Sequence, residues 1–327
     1  MAGAVAARAW RESAPDAIES DLAALWRELG HGDVKIARAV MANLIVVRAP
    51  SDERPGLTDI LAGLPLDDVT ARHPSRTIVL EHCHRKALET PFAAGVGIVT
   101  FGPAASRYGV EQIVVRSACP DTSLLSILRR LVRGDVPTSV WWAEDLSGGP
   151  PPFDPLLTVG RQILYDSRQW SDVTRGLAAI LPLVDDPRVD LADLNWRRLG
   201  PLRRALVHAR GPLKGDGWRG VMIAVAHASG EAAAASLLAG WLQAERPGDP
   251  PRITIAASAD RGQQPMVTVT IGETTATLTA HAAEVSIPSA PPLVVAVPQE
   301  SYADAIAAEL RSLSPDASLL AAIRALA

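Results

Sequence analysis

Apolar residues recur at helical spacing from about residue 16 to 29, where Ile18, Leu22, Leu25 and Leu29 form one stripe and Gly30 follows as a stop. A second helix is expected over 34–42. It feeds Leu44-Ile-Val-Val47, a β-branched run of the kind buried in a parallel sheet. Residues 58–71 read as a helix opened near Thr58, and Arg76-Thr-Ile-Val-Leu80 as the next buried strand, which together make a strand–helix–strand unit. Strands are expected at 96–101 and 112–116. The connection between them contains Gly102, Pro103 and Gly109, which suits an antiparallel pair and makes the sheet mixed. Asp121-Thr-Ser123 can cap a helix through Leu131, Thr138-Ser-Val-Trp-Trp142 reads as a strand, and Ser147 to Pro152 as a loop. A further helix and the strand Gln162 to Tyr165 complete this half.

The segment 177–193, punctuated by Pro182 and Pro187, marks the expected junction between two domains, 1–183 and 184–327. Beyond it the pattern predicts a helix near 199–208, a strand at 219–226, an Ala-rich helix at 231–244 and a strand at 252–257. Met266 to Ile271 and Thr275 to Leu278 alternate around Gly272-Glu273, a hairpin whose first turn residue is glycine. A strand at 293–297, a helix at 302–313 capped by Ser301, a break at Pro315 and a terminal helix follow. The expected fold class is therefore α/β, two α/β domains with mixed parallel and antiparallel sheets flanked by helices. Their element order suggests a similar plan.

Composition narrows the function. The 327 residues are 48% hydrophobic, so the chain folds, yet no run approaches the roughly 18 apolar residues of a membrane span. A formal net charge of -4 provides no general attraction to nucleic acid or anionic lipid. Cys83 and Cys119 cannot build a disulfide framework, and Arg8, Arg11 and Glu12 stand where a signal peptide would be apolar, so a cytoplasmic location is expected.

Signals of chemistry are few. Gly215, Gly217 and Gly220 satisfy G-x-G-x-x-G, but a strand is expected to follow them instead of the helix that receives a pyrophosphate, so they read as a turn. His82-Cys83-His84 places two imidazoles on one face of an extended chain, without the further ligands a metal site requires. Arg197, Arg198, Arg203 and Arg204 form a basic cluster after the acidic residues Asp185, Asp186, Asp190 and Asp193, which intrachain pairing explains adequately and which also suits docking or an anion. Trp141 and Trp142 must face opposite sides of a strand. One packs in the core, and the other covers a helix or meets a partner.

Six segments in order resemble the OpcA family of glucose-6-phosphate dehydrogenase assembly proteins. They are Ala37 to Val47, His73 to Leu80, Glu111 to Val115, Asp135 to Trp142, Tyr165 to Ser167 and Asp193 to Arg203. Leu202 stands where relatives often carry Trp, and the C-terminal third follows the family mainly in element order. The resemblance implies a non-catalytic partner that binds the dehydrogenase and promotes its active oligomer, with no catalytic residue, cofactor or metal. Matching positions that become candidates for partner contact are His73, Arg76, Trp141, Trp142, Asp166, Asn195, Trp196, Arg198 and Arg203. The chain's own oligomeric state stays open. The competing expectation is a sensor or enzyme for a sugar phosphate or nucleotide, with Arg76 and Arg198 as phosphate ligands.

Overall fold

The computed structural model describes residues 7–31, 35–51, 53, 56–82, 92–103, 106–118, 121–149, 153–209, 222–245, 251–258, 265–288 and 290–327. Cys83, His84, Cys119 and the three glycines of the G-x-G-x-x-G run lie outside them. Among the described residues the strands form a nine-stranded and a six-stranded sheet.

The larger sheet contains β1 (Ala7–Ser13), β2 (Ile36–Arg38), β3 (Ala42–Arg48), β4 (Ser75–His82), β5 (Phe92–Phe101), β6 (Arg107–Ser117), β7 (Thr138–Trp142), β8 (Gln162–Tyr165) and β9 (Asp190–Asp193). Six of these, in the order β6-β4-β3-β7-β8-β9, run parallel to their neighbours. Counted along the chain, that order is the 3-2-1-4-5-6 of a doubly wound sheet, whose direction of growth reverses between β3 and β7. β5 and β1 extend one edge antiparallel. The opposite edge ends in β9, which lies past residue 183.

Side chains alternate across this sheet. Ile45, Val47, Ile78, Leu80, Val140 and Trp142 face one way, towards α1 (Ile18–Gly30) and α3 (Asp121–Leu131), while Leu44, Val46, Val79, Trp141 and Leu164 face the other. The second face is covered by α2 (Leu66–Arg72) and by α9 (Tyr302–Arg311), whose Ala303, Ile306 and Leu310 join its core. Along the first face α4 (Phe153–Leu157) and α5 (Val173–Ile180) link β7, β8 and β9.

The smaller sheet has the order β11 (Arg252–Ala257), β10 (Met222–His227), β12 (Val267–Ile271), β13 (Thr274–Leu278), β14 (Ala282–Ser286), β15 (Leu293–Ala296). β10 and β11 are parallel and joined by α8 (Ala232–Ala244), and the remaining pairs are antiparallel. Gly272 opens the two-residue β12–β13 turn with φ +58°, the backbone conformation that glycine tolerates. One face packs on α7 (Gly200–Ala209) and α8, and the other, with Met222, Thr254, Glu284 and Val294, is exposed. α8 is buried almost all round between the smaller sheet, the larger sheet's helices and α10 (Ala317–Leu326), which is why its sequence is Ala- and Leu-rich on every side.

Three expectations need correction. The described part of the helix expected over 34–42, residues 35–42, is not helical: β2 pairs parallel with β6, which brings Arg38 over the Trp26 ring and within 3.2 Å of Glu111, so tertiary pairing overrides the local pattern. Residues 58–71 divide into a short 3-10 turn, Thr58–Leu61, and α2, because Gly63 adopts φ +77° and Pro65 follows. Among described segments, β1, β9 and β14 are strands that the pattern did not announce.

Candidate functional site

A cleft of about 900 Å³ opens where the C-terminal ends of β8 and β9 meet the smaller sheet and α9. Its floor is set by turn chemistry. β8 ends at Tyr165, and Asp166 accepts a hydrogen bond from the Arg168 N–H at 3.0 Å, which forms the 3-10 turn Ser167–Gln169. β9 ends at Asp193, whose Oδ1 accepts from the N–H groups of Asn195 at 2.9 Å and Ser167 at 3.1 Å. One carboxylate oxygen thereby starts α6 (Leu194–Arg198) and ties the ends of two strands together. Asn195 donates to Ser167 Oγ at 3.1 Å and accepts from Arg198 at 2.9 Å, and Arg198 meets Glu231 at 2.9 Å. On the far side Trp196 donates its indole N–H to Asp316 at 2.8 Å, and the Arg203 guanidinium lies over the Trp196 ring, 3.7 Å from its centroid.

Burial shapes the charges here. Asp193 is 2% exposed, and desolvation, reinforced by the neighbouring Asp166 carboxylate, pushes it up to about 7. Asp166 is raised less, because Arg168 and Arg198 offset its desolvation. Desolvation also raises Tyr302, so it remains a phenol, and lowers Arg203 to about 10, so it remains a cation at neutral pH.

Five of the nine candidate residues meet at this cleft: Asp166, Asn195, Trp196, Arg198 and Arg203. Trp141 reaches its wall through an edge-on contact with Tyr302, ring centroids 6.1 Å apart. Trp141 and Trp142 do face opposite sides of β7, but both are buried, at 1% and 8% exposure, so neither ring presents a surface. His73 ends α2, buried, with Nδ1 3.1 Å from Ser75 Oγ; desolvation first and then Arg311 lower its basicity.

Arg76 is 1% exposed and ion-paired with both Glu111 and Glu19. Glu111 also accepts from Trp26 at 2.9 Å and lies within 3.4 Å of Arg133. Arg76 and Arg198, the phosphate ligands of the competing expectation, therefore have their guanidinium groups engaged by protein carboxylates. The basic cluster pairs far along the chain, Arg197 with Glu300 and Glu309, instead of with the acidic run before it. His82 is buried, its Nδ1 3.1 Å from the Ser117 carbonyl, and no group of three metal-ligating side chains occurs among the described residues.

Sequence reasoning missed one more arginine. At the reversal of strand order, where a doubly wound sheet holds its ligand, Arg48 at the end of β3 donates Nε to Glu144, just past β7, at 2.9 Å. Its Nη1 donates to the carbonyls of Ile60 at 2.8 Å and Ala62 at 2.7 Å. A basic residue closing a β-branched run was the available signal, but its acidic partner lies 96 residues away.

No helix among the described residues is long and apolar enough to cross a membrane. No curated protein matches the chain. Among solved structures it is similar to an oxidoreductase from Thermotoga maritima, at 12% identity over 89% of this chain and 94% of that one, with a TM-score of 0.43. It is also similar to aldose-aldose oxidoreductase from Caulobacter crescentus, at 10% identity over 88% and 95%, TM-score 0.43, and to a super-repressor mutant of Gal80p from Saccharomyces cerevisiae, at 8% identity over 84% and 84%, TM-score 0.41. Family models match in two parts: residues 66–181 match the glucose-6-phosphate dehydrogenase subunit N-terminal domain and residues 189–323 the C-terminal domain of the same subunit. The chain belongs to the OpcA family of glucose-6-phosphate dehydrogenase assembly proteins.

Proposed function

We propose that this chain is a non-catalytic subunit that binds glucose-6-phosphate dehydrogenase in the cytoplasm and promotes its active oligomer. Family membership supports the association, and the observation that carries the non-catalytic part is Arg48. Its side chain bridges the ends of β3 and β7 and pins the 3-10 turn that follows β3, in the crevice where such a sheet would seat a cofactor. In place of a long helix with its N-terminus free to hold a pyrophosphate, β3 leads into a four-residue turn held by the same guanidinium.

An activator of this kind needs no reacting groups. It needs only to bind the active arrangement of the dehydrogenase more tightly than the inactive one, since that difference alone moves the population. Of the nine candidate residues, Arg198 and Arg203 reach solvent and are the ones in position to touch a partner. The other seven support binding by holding the framework rigid.

The test is to mix the purified chain with glucose-6-phosphate dehydrogenase from the same source and follow NADPH production and the mass of the complex together. Co-migration with a rise in rate is the expected result. Two folded proteins that neither associate nor change rate would remove the proposal.

A further inference from the structure

The arginines lining the cleft fall into two groups. Arg168 meets Asp166 at 3.3 Å, Arg197 meets Glu300 at 2.8 Å and Glu309 at 3.2 Å, and Arg198 meets Glu231 at 2.9 Å. Arg203 has no such partner among the described residues. Its guanidinium carbon lies 3.7 Å from the centroid of the Trp196 ring, its Nε is shut off from solvent, and that Nε donates to nothing. Asp316, whose charge reaches it, is already engaged by the Trp196 indole and by the first N–H groups of α10. The next residue on α7, Arg204, lines the same cleft and is likewise without an ion pair among the described residues.

A half-buried cation with no counterion destabilises the fold that contains it, and stacking on an indole offsets only part of that. A cation left without a counterion calls for an explanation, and a missing anion is the simplest one when the side chain lines a cavity. The cavity holds about 900 Å³, room for a whole metabolite and not just an ion. Its floor is polar: Asp193 Oδ2 is buried and has no partner.

We propose that the cleft binds an organic phosphate monoester, with Arg203 as the anchor of the phosphate and Arg204 as the second positive charge. A planar guanidinium fork held against a ring is preorganised for two parallel hydrogen bonds to phosphate oxygens. Two unpaired arginines match a dianion, where a single carboxylate would leave one charge unmatched. The site stands whether or not the chain binds the dehydrogenase, because it uses this chain's residues alone.

Calorimetry on the full chain at fixed ionic strength tests it, with glucose 6-phosphate and adenosine monophosphate as probes and glucose, adenosine and inorganic phosphate as controls. The expected result is saturable binding of at least one of the two monoesters. Inorganic phosphate should bind at least about tenfold more weakly, and the uncharged controls should give no heat. Arg203→Met keeps the stem over Trp196 and removes the fork, and should weaken the bound monoester at least about tenfold. Arg204→Gln should weaken it by a smaller factor that shrinks further in salt. Unliganded Arg203→Met should melt no lower than the parent, which separates a lost ligand contact from a lost fold. Absence of binding by both monoesters, binding indifferent to Arg203→Met, or inorganic phosphate binding as tightly would each overturn the proposal.

Discussion

Two buried carboxyls show how far one residue can govern this molecule. Glu111, 1% exposed, is paired with Arg76, Arg38 and Arg133 and accepts from the Trp26 indole. Glu111→Gln leaves Arg76 buried with Glu19 as its sole charged partner, and should lower the unfolding free energy by about 3–5 kcal/mol in urea titrations. Loss below about 1 kcal/mol would show that the neighbouring groups rearrange to compensate. Asp193 acts in the opposite sense. Folding raises it to about 7, against about 3.9 for an unfolded carboxyl, so between those values the folded chain keeps a proton that the unfolded chain has released. Its contribution is therefore most favourable below about pH 4 and falls as pH rises towards 7, by at most about 4 kcal/mol. Asp193→Asn keeps the Oδ1 acceptor for Ser167 and Asn195 while abolishing the titration. The difference in melting temperature between variant and parent should grow from pH 5 to pH 8, and a constant difference would contradict the assignment. None of this was legible beforehand. Arg76 and Asp166 stood out as matching positions, but their burial and partners depend on residues such as Glu111 and Asp193, 35 and 27 places away by numbering.

Elements were legible where local pattern and tertiary role agree. Ser301 announced a helix start, and the structure adds the reciprocal capping box with Asp304. Ser301→Ala should cost about 1 kcal/mol in thermal unfolding. The buried parallel strands read clearly because both of their faces are covered, which leaves an uninterrupted apolar run. Edge strands carry no such run. β1 is recognisable only through its partner: a Cβ on Gly95 would sit 2.2 Å from the Trp10 ring, so Gly95 and Gly97 in β5 are the imprint of a tryptophan lying across them. The same device appears between helices. A Cβ on Gly240 in α8 would meet the Ala322 carbonyl of α10 at 2.3 Å, so Gly240→Ala should destabilise by about 1–3 kcal/mol despite its better helix propensity. Equal or higher stability of that variant would mean that the two helices can move apart freely.

On the scale of the whole molecule the two sheets are not independent. A single apolar cluster runs from α1 and β3 through α8 into β12 and β14, and α9 returns from beyond the smaller sheet to cover the larger one. Far-UV and near-UV signals should therefore lose intensity together in one transition, whereas separate midpoints would mean that each sheet melts alone. The return of α9 also orders events on the ribosome. The seat formed by Leu44, Val46, Trp141 and Leu164 is complete once β8 has been made, yet its cover, Ala303, Ile306 and Leu310, is translated more than a hundred codons later. At about 5–20 residues per second the nascent chain carries that bare apolar face for roughly 5–30 s, longer than most single domains need to fold. Such an interval gives chaperones a fixed address on the emerging polypeptide, and it makes slow translation of the last third a direct route to aggregation.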